Sequence, residues 1–230
     1  MPVRTSLEVV SSLENARVGR GAPEAGPPSP GPYLQTVSGR WVNPFGPNPD
    51  QIELADIARA LANQCRFGGH CRTFYSVAQH CVVVSELIEE EGGGTEDALA
   101  ALMHDAPEAY LGDLPHPIKY RSQLGAAFRE AEKPLERVIR RRFSITGSPA
   151  AIKRIDRALL ATERRAFSTE TWHWPELSGV EPLDLELHAW SPDEAADAFV
   201  RRFEALDARR RSAHSSSTSE TQASRTRARP

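Results

Sequence analysis

The apolar run Ala98–Met103 leads directly into His104-Asp105, followed by Glu108 and Asp113. A run of that character belongs in a core. Charged groups at the edge of a core are costly unless they are paired or bound to a metal. Any fold for this chain therefore has to place these residues where other side chains can meet them. Residues three and four apart share a helix face, so helical geometry would aim His104, Asp105 and Glu108 into one small volume. That volume would suit a divalent cation and its bound water. The simpler alternative is a helix end with exposed acids. Pro107 bears on the choice, because its ring clashes one turn back and ends or kinks the helix. Helical spacing alone therefore leaves the position of Glu108 open.

Elsewhere the pattern is also helical. Leu54, Ile57 and Leu61 predict a helix to about Asn63. Ser76-Val77-Ala78-Gln79 reads as a capping box, with Ser76 as N-cap and Gln79 reaching back, ahead of a helix that stops near Gly92-Gly93-Gly94. Thr95 is placed to cap the next helix. Leu124–Phe143 predicts a helix bent at Pro134. Ser148-Pro149 opens another over Ala150–Phe167, with Ile152, Ile155, Leu159 and Ala166 inward. Ser191-Pro192-Asp193-Glu194 is a second capping box, for a helix burying Ala195, Phe199, Phe203 and Leu206. Strand signals are few. Tyr33–Phe45 alternates around Ser38-Gly39 and predicts a short hairpin, Asn48-Pro49-Asp50 a turn, and Cys65–Thr73 and Trp172–Leu187 loops. The class is mainly α. Its organisation is a flexible Pro/Gly-rich lead-in over residues 1–32, a folded body over 33–208, and a disordered Arg/Ser/Thr-rich tail over 209–230.

The formal net charge is −3, but the residues from Arg209 onward carry six Arg and one Glu, which leaves −8 on the rest. An acidic body does not attract a nucleic-acid polymer by its bulk field. Any phosphate must then be held by a metal or by local Arg and Lys. Three cysteines, Cys65, Cys71 and Cys81, form no CxxC pair and predict reduced thiols in a cytoplasmic protein. No signal-peptide pattern or membrane-length apolar run is present in this sequence.

His80, one turn into its helix, and Asp156, on the basic-apolar run KRIDRALLATE, add to His104 and Asp105 a second imidazole and a second carboxylate. Such a set suits one divalent ion of Mn, Co, Mg, Zn or Fe. A rival reading makes Cys65, His70, Cys71, His80 and Cys81 a structural zinc site, without the paired ligand spacing such sites usually show. Arg66, His70 and Lys119 are candidates for substrate phosphate, with solvated loop positions as the alternative. His116 is expected to be exposed; Glu163 falls two turns beyond Asp156 on the same face, with a surface role as the simpler reading. Trp172, His173 and Trp174 would either stack on a base or pack on the core.

His80, His104-Asp105 and Asp156 together resemble, in order and spacing, the HD-domain phosphohydrolases. The run HDAPEAYLGDLPHPIK, with YSVAQH before it, is similar to the 5'-deoxynucleotidase branch of that superfamily. The likeness spans roughly Trp41–Leu206. It implies an HD-type helical bundle in which His80, His104, Asp105 and Asp156 bind one metal. Glu108 would orient or deprotonate water, Asp113 would protonate the leaving oxygen, and Arg66 would contact phosphate. The branch's companion Trp is replaced here by Phe67. The implied reaction is hydrolysis of a (deoxy)nucleoside 5'-monophosphate, with a homodimer as the implied assembly. Two further readings are hydrolysis of a nucleotide polyphosphate or signalling nucleotide, and a non-catalytic nucleotide sensor.

Overall fold

The computed structural model describes residues 26, 27, 29–169 and 172–227. Of the expected lead-in, only residues 26, 27 and 29–32 fall among these, and they are exposed and non-helical. The described residues form eight helices and one two-stranded hairpin, so the mainly α expectation is met. In the hairpin, β1 (Leu34–Gln35) pairs antiparallel with β2 (Trp41–Val42), Leu34 opposite Val42. Gly39 turns the chain at φ +86, a conformation that costs glycine little. Ser38 ties the hairpin to the first helix by donating its N–H and its hydroxyl to the buried Asp56 carboxylate at 2.8 and 2.7 Å.

The helices are α1 (Leu54–Asn63), α2 (Val77–Glu90), α3 (Thr95–Leu102), α4 (Glu108–Leu111), α5 (His116–Arg121), α6 (Gln123–Arg142), α7 (Pro149–Phe167) and α8 (Pro192–Arg227). α8 packs across α1, α2 and α3, while α7 lies against α2 and α3. Their shared core holds Ile57, Leu61, Val84, Leu99, Leu102, Ile155, Leu159 and Phe199, all at most 1% exposed. Burial of this apolar surface is the main force assembling the bundle. Ala195, Phe199, Phe203 and Leu206 are buried as their spacing predicts, whereas Ala166 is only half-buried.

Ser76 accepts the Gln79 N–H at 3.1 Å, but the Gln79 side chain does not reach back to complete a box. It bonds instead to His188 O at 2.6 Å and Trp190 N at 2.9 Å, tying α2 to the segment that enters α8. The Ser191–Glu194 box forms in both directions. Gly94, not Thr95, is the N-cap of α3. α8 also continues past Arg209 to Arg227, where a disordered tail was expected. Residues 193–227 contain no Gly or Pro to stop it. Arg209 pairs with Glu89 of α2, and Arg210 donates to the carbonyls of Phe143 and Ser144. Among the described residues no helix is long and apolar enough to cross a membrane.

Candidate metal centre

α3 ends at Leu102, and residues 103–107 form a turn before α4. His104 and Asp105 therefore stand on that turn and not on a shared helix face. Pro107 is the reason, since it excludes a continuous helix from α3 into α4. The turn is held by Ala106 N–H to Met103 O at 3.2 Å and Glu108 N–H to Asp105 O at 2.9 Å. It converges on α2, where His80 is fully buried.

His80, His104 and Asp105 each place a ligand atom within 4.8 Å of the others. The two Nε2 atoms are 3.4 Å apart, and Asp105 Oδ2 lies 3.2 Å from His104 Nε2 and 3.7 Å from His80 Nε2. Asp156 comes from α7 and sets Oδ1 3.1 Å from His80 Nε2, at the edge of the trio. Each ring is oriented through its other nitrogen. His104 Nδ1 lies 2.7 Å from Ala101 O, a pure acceptor, so Nδ1 carries the proton. His80 Nδ1 lies 2.7 Å from Glu163 Oε1 and donates to that carboxylate. With Nδ1 engaged on both rings, the two Nε2 atoms are left facing each other and two carboxylates. That donor set fits a divalent cation, with the outer hydrogen bonds that metal-binding histidines ordinarily make.

Glu163 lies two turns beyond Asp156 on the same face of α7, as its spacing has it, and it is the surface role that fails. It is 0% exposed, where a surface position was expected. Its second oxygen accepts from Arg66 Nε at 3.1 Å and Arg66 Nη2 at 3.0 Å. Arg66 is itself buried and reaches Asp105 Oδ2 at 3.8 Å through Nη1. It is thus a brace between α7 and the turn. Burial opposes its charge, but Glu163 and the acids around it hold its pKa well above the ordinary value.

Glu108 opens α4 and is 4% exposed. Its Oε1 accepts from Lys119 at 3.1 Å, and its Oε2 is buried without a partner among the described residues. Lys119 also binds Glu132 at 2.7 Å, so it bridges α4 and α6. Burial, then Asp105 and Asp113, push the Glu108 carboxyl well above the usual range against the pull of Lys119 and Arg66. Asp113 is raised chiefly by burial, with Arg66 opposing. Gln64, which no motif marks, clamps both segments by donating to Glu108 O at 2.9 Å and accepting from Asp113 N at 3.0 Å.

For the imidazoles, burial works against charge, yet Asp105 holds His104 well above its ordinary value; Glu163 and Asp156 raise His80 against burial and Arg66. Burial likewise opposes the charge on Asp105, but His104, His80 and Arg66 hold that carboxyl far below the carboxylate range.

The remaining candidates lie outside this group. His70 is exposed on the Arg66 loop, and His116 is partly exposed, 3.8 Å from Glu176. Trp174 packs edge-on to Phe67 at 6.1 Å, with the Arg164 guanidinium over its ring, while Trp172 is 63% exposed. The five-residue zinc reading does not assemble: the compact donor group contains His80 but none of Cys65, His70, Cys71 or Cys81.

No family model matches this chain. It is 36% identical over 184 residues to YfdR of Escherichia coli (strain K12), an uncharacterized protein, covering 79% of this chain and 99% of YfdR. It is 38% identical over 131 residues to the uncharacterized protein RCAP_rcc00048 of Rhodobacter capsulatus, covering 55% of this chain and 66% of that protein.

Proposed function

The chain belongs to the family of Escherichia coli YfdR, and on that premise we propose that it is a metal-dependent phosphohydrolase acting on (deoxy)nucleoside 5'-monophosphates. The observation that carries the reading is the pair of Nε2 atoms 3.4 Å apart beside Asp105, each ring fixed from behind. His80, His104 and Asp105 would hold one divalent ion, with Asp156 completing the set. Such an ion lowers the pKa of bound water and polarises a phosphoryl oxygen.

The remaining work falls to this chain's own residues. Glu108 has a buried oxygen without a partner among the described residues, and it orients the attacking water or takes its proton, as the resemblance implies. Lys119 steadies Glu108 through its other oxygen. Asp113, whose N–H is held by Gln64, supplies a proton to the departing 5'-oxygen, the role the resemblance implies. Arg66 Nη1, on the side of the guanidinium away from Glu163, provides positive charge toward the phosphoryl oxygens. Phosphoryl transfer depends mostly on such positioning and charge neutralisation. The resemblance to the 5'-deoxynucleotidase branch supplies the substrate class.

The test is inorganic phosphate release from a panel of ribo- and deoxynucleoside 5'-monophosphates by metal-stripped protein, with Mn, Co, Mg, Zn or Fe(II) restored one at a time. Release that depends on metal and vanishes in Asp105→Ala is expected. No release from any monophosphate with any of these metals would overturn the reading.

A further inference from the structure

The loop that carries Arg66 has a second chemical feature. Cys65 and Cys71, six residues apart, bring their sulfurs within 3.4 Å of each other. Both are half-buried free thiols, whereas Cys81 is buried in the core of α2. The approach is built in, since both arms of the loop are anchored. Arg66 N–H donates to Tyr75 O at 2.9 Å next to Cys65, and Arg72 N–H donates to Phe167 O at 2.7 Å next to Cys71. Between them the chain reverses through Phe67, Gly68 and Gly69, at φ 61, 60 and 80. A disulfide needs a sulfur separation of about 2.0 Å. Two glycines in the loop leave the backbone free to supply the closing movement of about 1.4 Å.

We propose that Cys65 and Cys71 are a reversible dithiol–disulfide site that is oxidised by low-molecular-weight disulfides and closes the Arg66 loop. The Cys65 thiolate attacks one sulfur of oxidised glutathione, the S–S bond breaks, and one glutathione leaves as thiolate and is protonated. Cys71 then loses its proton, and its sulfur attacks the Cys65 sulfur of the mixed disulfide. The second glutathione departs and takes up a proton. Two protein thiols are oxidised, and one disulfide is reduced to two thiols. The same exchange opened at Cys71 and resolved by Cys65 gives the same disulfide. The ring so formed contains Arg66, the brace of Glu163 and through it of His80. The assignment is independent of the hydrolase reading.

The experiment equilibrates the full chain in glutathione buffers from reducing to oxidising, blocks remaining thiols by alkylation, and digests with trypsin. Cleavage after Arg66 separates the two cysteines into Ala60–Arg66 and Phe67–Arg72, so an internal disulfide appears as a linked peptide pair. That pair is expected to rise in a single transition, to disappear with dithiothreitol, and to leave Cys81 unmodified until the protein is unfolded. Cys71→Ser should stop at glutathione on Cys65. Wild-type protein that accumulates glutathione on single cysteines, or that keeps both thiols in the most oxidising buffer, overturns the proposal.

Discussion

Glu163 shows how one buried side chain sets the chemistry of others. It receives a proton-bearing nitrogen of His80 and two of Arg66, so its charge is matched inside the protein. Glu163→Gln keeps the shape but weakens the hold on His80 Nδ1 and leaves Arg66 without a carboxylate. A loss of metal affinity of about 10–100-fold is expected, read by competition with a chelator, while circular dichroism reports an intact helical fold. Glu108→Gln should behave in the opposite way. Metal affinity should persist while phosphate release falls by about 10²–10⁴-fold, because the unpartnered oxygen that would accept the water's proton is lost. The two roles differed in legibility. Glu108 follows His-Asp at a spacing that draws attention in the sequence. Glu163 sits among Arg164 and Arg165 on α7, a context that reads as solvated surface. Its burial becomes visible only when α7 is laid against α2. Gln64 was equally silent, since its two bonds join residues 44 and 49 positions away.

At the scale of elements, the site depends on short pieces that meet closely. α5 and α6 approach so tightly at Gly125 that a β-carbon there would overlap the Lys119 and Ile118 carbonyl oxygens. Gly125→Ala gains about 1 kcal/mol of helix propensity. Overpacking against rigid backbone costs about 1–3 kcal/mol, and the relief available is to push α5 away. A net loss of stability by urea denaturation is expected, together with reduced phosphate release as Lys119 withdraws from Glu108. A second contact joins α2 to α8 through Glu89, which pairs with Arg202 and Arg209. Burial raises the Glu89 pKa, but the two arginines more than offset this and depress it. A carboxyl depressed in the folded state stabilises at pH above its unfolded value, and this stability is lost as pH falls through the folded value. The urea midpoint of wild type should therefore fall more steeply below about pH 5 than that of Glu89→Gln. The long helices were readable because their apolar positions recur with helical period and their caps are local. The turn at residues 103–107 was not, because Pro107 announces an interruption without saying where α3 ends. The continuation of α8 beyond Arg209 was hidden by composition: Ser, Thr and Arg read as a tail until Glu89 and the Phe143 carbonyl supply partners.

For the whole molecule, the core and the candidate metal centre are distinct parts of one fold, and heat can tell them apart. Phe199 on α8 is fully buried where that helix crosses the others. Phe199→Ala should cost about 3–5 kcal/mol by lost burial and the cavity left behind. None of the hydrogen bonds and ion pairs that hold His80, His104 and Asp105 runs through Phe199, so the ligand geometry is expected to stay in place. A cation that binds only the folded state adds RT ln(1 + [L]/Kd) of stability, about 2.7 kcal/mol at a hundredfold excess over Kd. For a chain of this size that corresponds to a rise in Tm of about 5–10 °C. Wild type should show this rise on adding the activating metal to stripped protein, followed by circular dichroism. Phe199→Ala should melt lower yet rise by a similar amount. His104→Ala removes a ring only partly buried on a turn and should lose the rise almost entirely. If His104→Ala kept a full rise, the stabilising cation would be bound elsewhere, and the convergence of His80, His104 and Asp105 would not be the centre that holds it.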